Sequence, residues 1–361
     1  MNAEITKEEF TTIKKIPMVF IMGKERSGTT LLQTFLGGHP NIVAPPESEF
    51  ILLLYPRFGK IKKWTEKNIR EFIDELYKEP WITKIWRIDR SFLTSVLLSI
   101  REGADYASIC KVIYYCTRNS KENIVWISDK NPIYILFIKT LLKIFPEAKF
   151  IHLIREPRDN VNSHLKSFKV NNVKFVAMKW VAYNTILMKA KIVIPEKFHT
   201  VRYEDLVESP AVKMKEICKF LNIDFNDRMV HNAFPENLKA FNNQQLILER
   251  AKQIHVNLLQ PVNTSNIGKW KNDMSLYNIK LVEKIAGNFA AKNFNYVMEE
   301  GSNGTSIGMK IQIIKSRIIY YCWQFFTRMK YKSYWFNRAY TNFNILIGRE
   351  TRVFGKVLRE S

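Results

Sequence analysis

The chain has 361 residues, 46% of them hydrophobic, enough to bury a large core as one big domain or one domain with an appendage. Its net charge of +22 calls for an anionic partner: nucleic acid, membrane surface or polyanionic ligand. No apolar run reaches the length of about 18 residues that a membrane span needs, and the polar start "MNAEITKEEFTTIKKIP" lacks the apolar stretch of a signal peptide. Four cysteines (Cys110, Cys116, Cys218, Cys322) have neither paired nor metal-type spacing, so free thiols and a cytoplasmic chain are expected.

In chain order, apolar "MVFIM" (18–22) ends at a glycine, and "TLLQTFLGGHP" continues with helical spacing until Gly37, Gly38 and Pro40 stop it. The junction, "GKERSGTT", nearly spells the phosphate loop G-x-x-x-x-G-K-[ST], with Gly23 and Gly28 correctly spaced and Thr30 at the hydroxyl position. Thr29 stands where the lysine belongs. A Gly-x4-Gly loop opening a helix presents backbone N–H groups to a phosphate. Without the lysine there is nothing to grip a γ-phosphate, and Arg26 offers a different cation inside the loop. The cradle suits a single 5′-phosphate linkage with no need for magnesium.

"PPESEF" follows with two acids, Glu47 and Glu49, and residues 51–122 read as a helical, aromatic-rich insert. Strands are expected at 123–128 ("NIVWIS"), 149–154 ("KFIHLI") and 197–202 ("KFHTVR"). They run into "DKNP", "REPRD" and "YEDL", the last carrying Tyr203, and helices follow each. Alternating short strands and helices indicate an α/β fold: a P-loop-type, mainly parallel sheet flanked by helices. Three of the four strand ends carry Lys or Arg within two residues, and ligands of such sheets sit outside the carboxyl ends of the strands. Tyr203 either approaches a ligand there or fills the core. A sheet domain over 1–298, a linker at 299–308 ("EEGSNGTSIG") and a helical tail over 309–361 complete the plan.

Residues 301–361 hold 11 Lys/Arg against 2 Glu, so the tail supplies +9 of the charge. The rest is spread thinly, without an RNA-binding signature, and no nucleic acid is expected as partner. Within 310–338, the apolar block Ile318 to Phe326 is flanked by cations. It suits either an interfacial helix on an anionic membrane surface or a terminal helix packed on the domain.

"ERSGTTLLQTFLGGHPNIVAPPES", "IREPRDNVNS" and "RYEDL" together resemble the sulfotransferase family that uses 3′-phosphoadenosine 5′-phosphosulfate (PAPS), in its bacterial and tyrosylprotein-sulfotransferase branch. The likeness runs from about Pro17 to Met298. It accounts for the missing lysine, since PAPS carries a 5′-phosphosulfate and a 3′-phosphate but no γ-phosphate. The resemblance implies that Arg26 is a catalytic cation and that Ser27, Gly28, Thr29, Thr30 and Leu31 wrap the 5′-phosphosulfate. It further implies that Arg155 and Ser163 hold the 3′-phosphate; eight residues apart on a helix, they can share a face. Glu47 falls on the acceptor-activating glutamate, with Glu49 a rival and His39 and His255 the histidines placed to matter as base. Lys130 resembles the lysine that approaches the transferring group. "QPVNTSNIGKW" (260–270) resembles a loop closing over the nucleotide; it departs at Gln260, where a lysine is expected, and Lys269 stands in for that charge.

The reading is therefore a PAPS-dependent O-sulfotransferase needing no metal, with a glycan, lipid or sterol alcohol as acceptor. Two alternatives stand beside it: a phosphotransferase using ATP and magnesium with Asp129 as metal carboxylate, and a non-catalytic membrane- or anion-binding protein. The sequence leaves the oligomeric state open.

Overall fold

The computed structural model describes residues 5–118, 123–168, 172–231, 248–249, 262–298 and 307–346. His255, Gln260 and residues 299–306 of the expected linker lie outside them. The sheet is built on β1 (Met18–Met22), whose five residues are all buried. A strand covered on both faces has no solvent side for polar residues, hence the unbroken apolar run. A two-residue β2 (Ile42–Val43) follows, then β3 (Trp126–Lys130), β4 (Lys149–Ile154) and β5 (Phe198–Arg202). All pair in parallel, in the order β2-β3-β1-β4-β5. The chain fills one side of β1, then returns past it to fill the other, so the order reverses beside β1. The crevice at such a reversal is where open α/β sheets bind ligands.

β3 corrects the expectation of a strand over 123–128. Its ladder pairs Phe20 with Asp129 and Ile21 with Lys130, so the first half of "DKNP" belongs to the strand. Reading by hydrophobicity ended the strand at the first charge. The sheet tolerates Asp129 because Tyr114 donates its hydroxyl to it from within the core, at 2.6 Å. The short β2 carried no sequence signal.

Helix α1 (Lys7–Lys15) opens with a reciprocal cap between Thr6 and Glu9. α2 (Thr29–Gly37) leaves the phosphate loop. Then α3 (Phe50–Phe58), α4 (Glu66–Leu76), α5 (Arg90–Ser99) and α6 (Tyr106–Tyr115) form the aromatic-rich region. Most of its rings are spent on the core: Trp64, Trp86, Tyr106, Tyr114 and Tyr115 are buried, and Phe58, Trp64 and Phe72 meet at 5.2–6.1 Å. Few of these aromatics are left to face an acceptor.

α7 (Ile138–Ile144) precedes β4, and α8 (Pro157–Phe168) and α9 (Val173–Val193) follow it. α10 (Tyr203–Glu208) and α11 (Pro210–Leu221) follow β5. The short helices α12 (Trp270–Asp273), α13 (Leu276–Val282) and α14 (Asn288–Phe294) pack beside α8 and α9. In the tail, α15 (Ile307–Lys332) lies along α9 and α3, burying Ser316, Tyr320 and Tyr331, and α16 (Tyr334–Leu346) folds back on it.

Candidate active site

The loop after β1 is shaped by close approach. A Cβ on Gly23 would lie 2.5 Å from the Leu153 carbonyl oxygen of β4, so no side chain fits there. Gly28 has φ +93, and a Cβ on it would lie 2.4 Å from the Tyr203 ring. Tyr203 thus belongs to the wall of the loop. Ser27 is buried and its hydroxyl accepts from Asn160 Nδ2 at 3.0 Å, while that same amide donates to the Glu25 carbonyl. No side chain caps α2, leaving the first-turn amides around Thr29, Thr30 and Leu31 for an anion.

On the β4 side, Arg155 is buried with its guanidinium 4.5 Å above the Tyr203 ring. Nη1 donates to the Arg26 carbonyl at 3.1 Å and Nη2 to the Asn266 carbonyl at 2.6 Å. Arg155 Nε is buried and has no partner. Arg26, held at φ 68, donates from Nε to Ser163 Oγ at 3.2 Å. Burial, together with the charge of Arg155, lowers the pKa of Arg26. Two guanidiniums, one orphaned N–H and a serine hydroxyl around one spot fit a phosphate, whose charge would offset both penalties.

The rest of "REPRD" is scaffold. Asp159 accepts from the backbone N–H groups of Gly268 (2.6 Å) and Trp270 (3.1 Å), tying down the loop before α12. Arg158 lies 3.7 Å from the Trp270 ring centroid and bonds Glu156 and Glu283, both at 2.6 Å. That loop reaches the site through Asn266. Lys269 is exposed and donates to Asn266 Oδ1 at 2.9 Å, one step removed from Arg155.

On the β3 side, Lys130 ends its strand in an ion pair with Glu47, the lysine buried and the carboxylate partly open to solvent. Ser48, next to Glu47, is fixed through its carbonyl, which accepts from Asn131 Nδ2 (3.3 Å) and the Tyr134 hydroxyl (3.2 Å). Glu49 is held by the tail, accepting from the Tyr331 hydroxyl and from Lys330 Nζ at 3.2 Å. His39 is spent on backbone: Asn41 N–H donates to Nδ1, leaving Nε2–H to donate to the Asp224 carbonyl. Asp129 faces Tyr114, and burial pushes its carboxyl up to about 7. Arg26, Arg155 and Ser163 therefore stand together, as do Glu47 and Lys130. No hydrogen bond or ion pair among the described residues joins the two groups.

Sequence reasoning passed over a buried cluster behind the loop. Lys24 Nζ lies 3.3 Å from His164 Nδ1, and Lys179 bonds Glu25 at 2.5 Å. Burial brings Lys24 down to about 7, and burial with the Lys24 charge brings His164 down to about 3. Glu25 falls to about 2 because Lys179 and Lys24 outweigh its own burial. The only sequence hint was a lysine inside the loop; Lys179 and His164 are distant in sequence.

Comparison with known proteins bears on the family and the fold. The profile described as "Sulfotransferase family" matches residues 17–227, more than half the chain. Protein-tyrosine sulfotransferase 1 of Danio rerio is 27% identical over 271 residues, covering 73% of this chain and 68% of that protein. Its Homo sapiens counterpart is 27% identical over 268 residues, with 72% and 65% covered. This chain thus spans about two-thirds of these relatives' length. Among solved structures, the sulfotransferase domain of the Synechococcus PCC 7002 olefin synthase superposes with a TM-score of 0.51 at 22% identity, covering 78% of this chain and 96% of that one. That likeness supports the fold. With the profile spanning β1 to β5, the chain belongs to the sulfotransferase family.

Proposed function

We propose that the chain moves a sulfuryl group from PAPS to an acceptor hydroxyl, with Arg155, Ser163 and Arg26 binding the 3′-phosphate end and Glu47 acting as base. The observation that carries this is the cluster beside the lysine-less loop, in which the buried Arg155 Nε has no protein partner. PAPS, when bound, supplies a sulfuryl group whose bond to the 5′-phosphate oxygen breaks as the acceptor oxygen attacks sulfur. The chain's own part is to orient and to move one proton. The loop amides and Ser27 to Leu31 hold the 5′ end, aided by the Tyr203 wall. Glu47 takes the acceptor's proton, and its pairing with Lys130 fixes where that carboxylate stands. Lys130 balances negative charge developing on the transferring group. Arg26 joins it only by turning away from Ser163, so its catalytic role is the less direct of the two.

The ATP-and-magnesium alternative loses support because Asp129 faces Tyr114 in the core. For the acceptor, we favour a glycan, lipid or sterol alcohol met in the cytoplasm or at a membrane surface. A protein tyrosine is the second reading, favoured by the names of the curated relatives. Incubation with radiosulfate-labelled PAPS and a panel of tyrosine peptides, oligosaccharides and lipid alcohols tests both. Label on one class, lost in Glu47→Gln, is expected. Label on none, with transfer of γ-phosphate from ATP instead, would overturn the sulfotransferase reading.

A further inference from the structure

α15 has two apolar faces, and only one is used. Ser316, Tyr320 and Tyr331 turn inward against α9 and α3, with Trp323 packed under the Lys179 ammonium at 4.5 Å. On the opposite side Ile311, Ile314, Ile318, Tyr321 and Phe325 recur every three or four residues, the spacing of one helix stripe. All five are exposed, Ile318 by 58% and Phe325 by 60%, and Trp335 of α16 adds an indole exposed by 76%. A soluble surface scatters such residues singly; a continuous stripe marks a contact. Lys315, Arg317, Lys332 and Arg338, all exposed, border it.

We propose that this outer face docks on an anionic lipid bilayer, with the apolar stripe at the acyl boundary and the bordering cations among the headgroups. Charge selects the occupant. A second copy would bring two segments of +9 face to face, within chains that each carry +22. Nucleic acid would satisfy the cations but leave the isoleucines against phosphate and water. An acidic bilayer accepts both, and aromatic rings beside Lys and Arg are the side chains that settle at headgroup level. Among the described residues no helix is long and apolar enough to cross a membrane, so the helix lies on the surface.

The test is flotation of the full chain with phosphatidylcholine vesicles, with and without 30% phosphatidylserine, a fraction chosen to give roughly the charge of an anionic leaflet. Binding is expected only with phosphatidylserine, weakened by high salt. The double variant Ile318→Glu, Phe325→Glu should weaken it by at least about tenfold. Both residues are solvent-facing, so its thermal midpoint should match that of the unaltered chain. Ile192→Glu with Val193→Glu, on another exposed apolar spot at the end of α9, should bind as before. Equal loss in both double variants, or none in either, would overturn the proposal. So would absence of vesicle binding, including the case of a self-associating chain whose dimer the α15 substitutions break.

Discussion

The two flanks of β1 are built differently. On the β4 side the groups gathered at the strand ends are cations and amides, braced by neighbours from one contiguous stretch: Arg155, Arg158, Asp159, Asn160 and Ser163. On the β3 side the groups are carboxylates and a lysine, braced from three separate elements: Glu47 by Lys130 of β3, Glu49 by Tyr331 of α15, Asp129 by Tyr114 of α6. In the proposed reaction one flank is an anion cradle, and the other an acid–base station whose geometry depends on tertiary packing. In this account the cradle determines which nucleotide binds and the station determines whether transfer occurs, so lesions on the two sides should separate.

The largest separation is expected from Glu47→Gln. Removing the base should lower turnover by roughly 10²–10⁴-fold while the dissociation constant for 3′,5′-adenosine bisphosphate stays within about twofold. A variant retaining full turnover would take Glu47 out of the mechanism. Gly28→Ala should fail the other way. A Cβ at φ +93, pressed on Tyr203, strains the loop by about 1–3 kcal/mol and should weaken the bisphosphate by roughly tenfold or more in calorimetric titration. Unchanged affinity there would mean that the loop does not wrap the ligand.

A smaller effect should follow from Tyr331→Phe. Losing the hydroxyl that donates to Glu49 should cost about 1–2 kcal/mol in urea unfolding, since Lys330 remains beside the carboxylate. Bisphosphate binding should not move, because the lost hydroxyl bonds Glu49 and no residue of the cradle. Loss of binding would mean that the two flanks are coupled.

The effect of Asp129→Asn should be visible only against pH. Its carboxyl rises from an ordinary 3.8 to about 7 on folding, burial being the main cause. The folded chain thus keeps a proton that the unfolded chain has released between those values. The stability this gives is present below about pH 4 and lost as pH climbs through 7. The Asn variant lacks that loss, so its thermal midpoint should gain on the unaltered chain across the window. Parallel curves would mean that Asp129 is ionised in the fold.

The same contrast explains what the sequence made legible. The parallel α/β plan and the phosphate loop could be read because their determinants are local, an apolar strand and a glycine spacing; resemblance added the arginine and serine eight residues apart around a helix start. The acid–base flank could be named by resemblance but not understood. Nothing local distinguishes Glu47 from Glu49; the distinction lies in Lys130, 83 residues on, and in Tyr331, 282 residues on from Glu49. Asp129 illustrates the same limit. Its charge read as a loop, and only the ladder with Phe20 and the hydroxyl of Tyr114 make it a strand residue. Arg26 was named a catalytic cation by motif position, and its bond to Ser163 rests on a residue 137 positions on.

The most direct measurement is thermal unfolding of the full chain with 3′,5′-adenosine bisphosphate and, separately, with ATP plus magnesium. At 100 times its dissociation constant a ligand adds about 2.7 kcal/mol, which should raise the midpoint by about 2–4 °C in a chain of this size. The account predicts that rise with the bisphosphate alone and its disappearance in Arg155→Ala. A rise confined to ATP with magnesium, indifferent to Arg155, would contradict it.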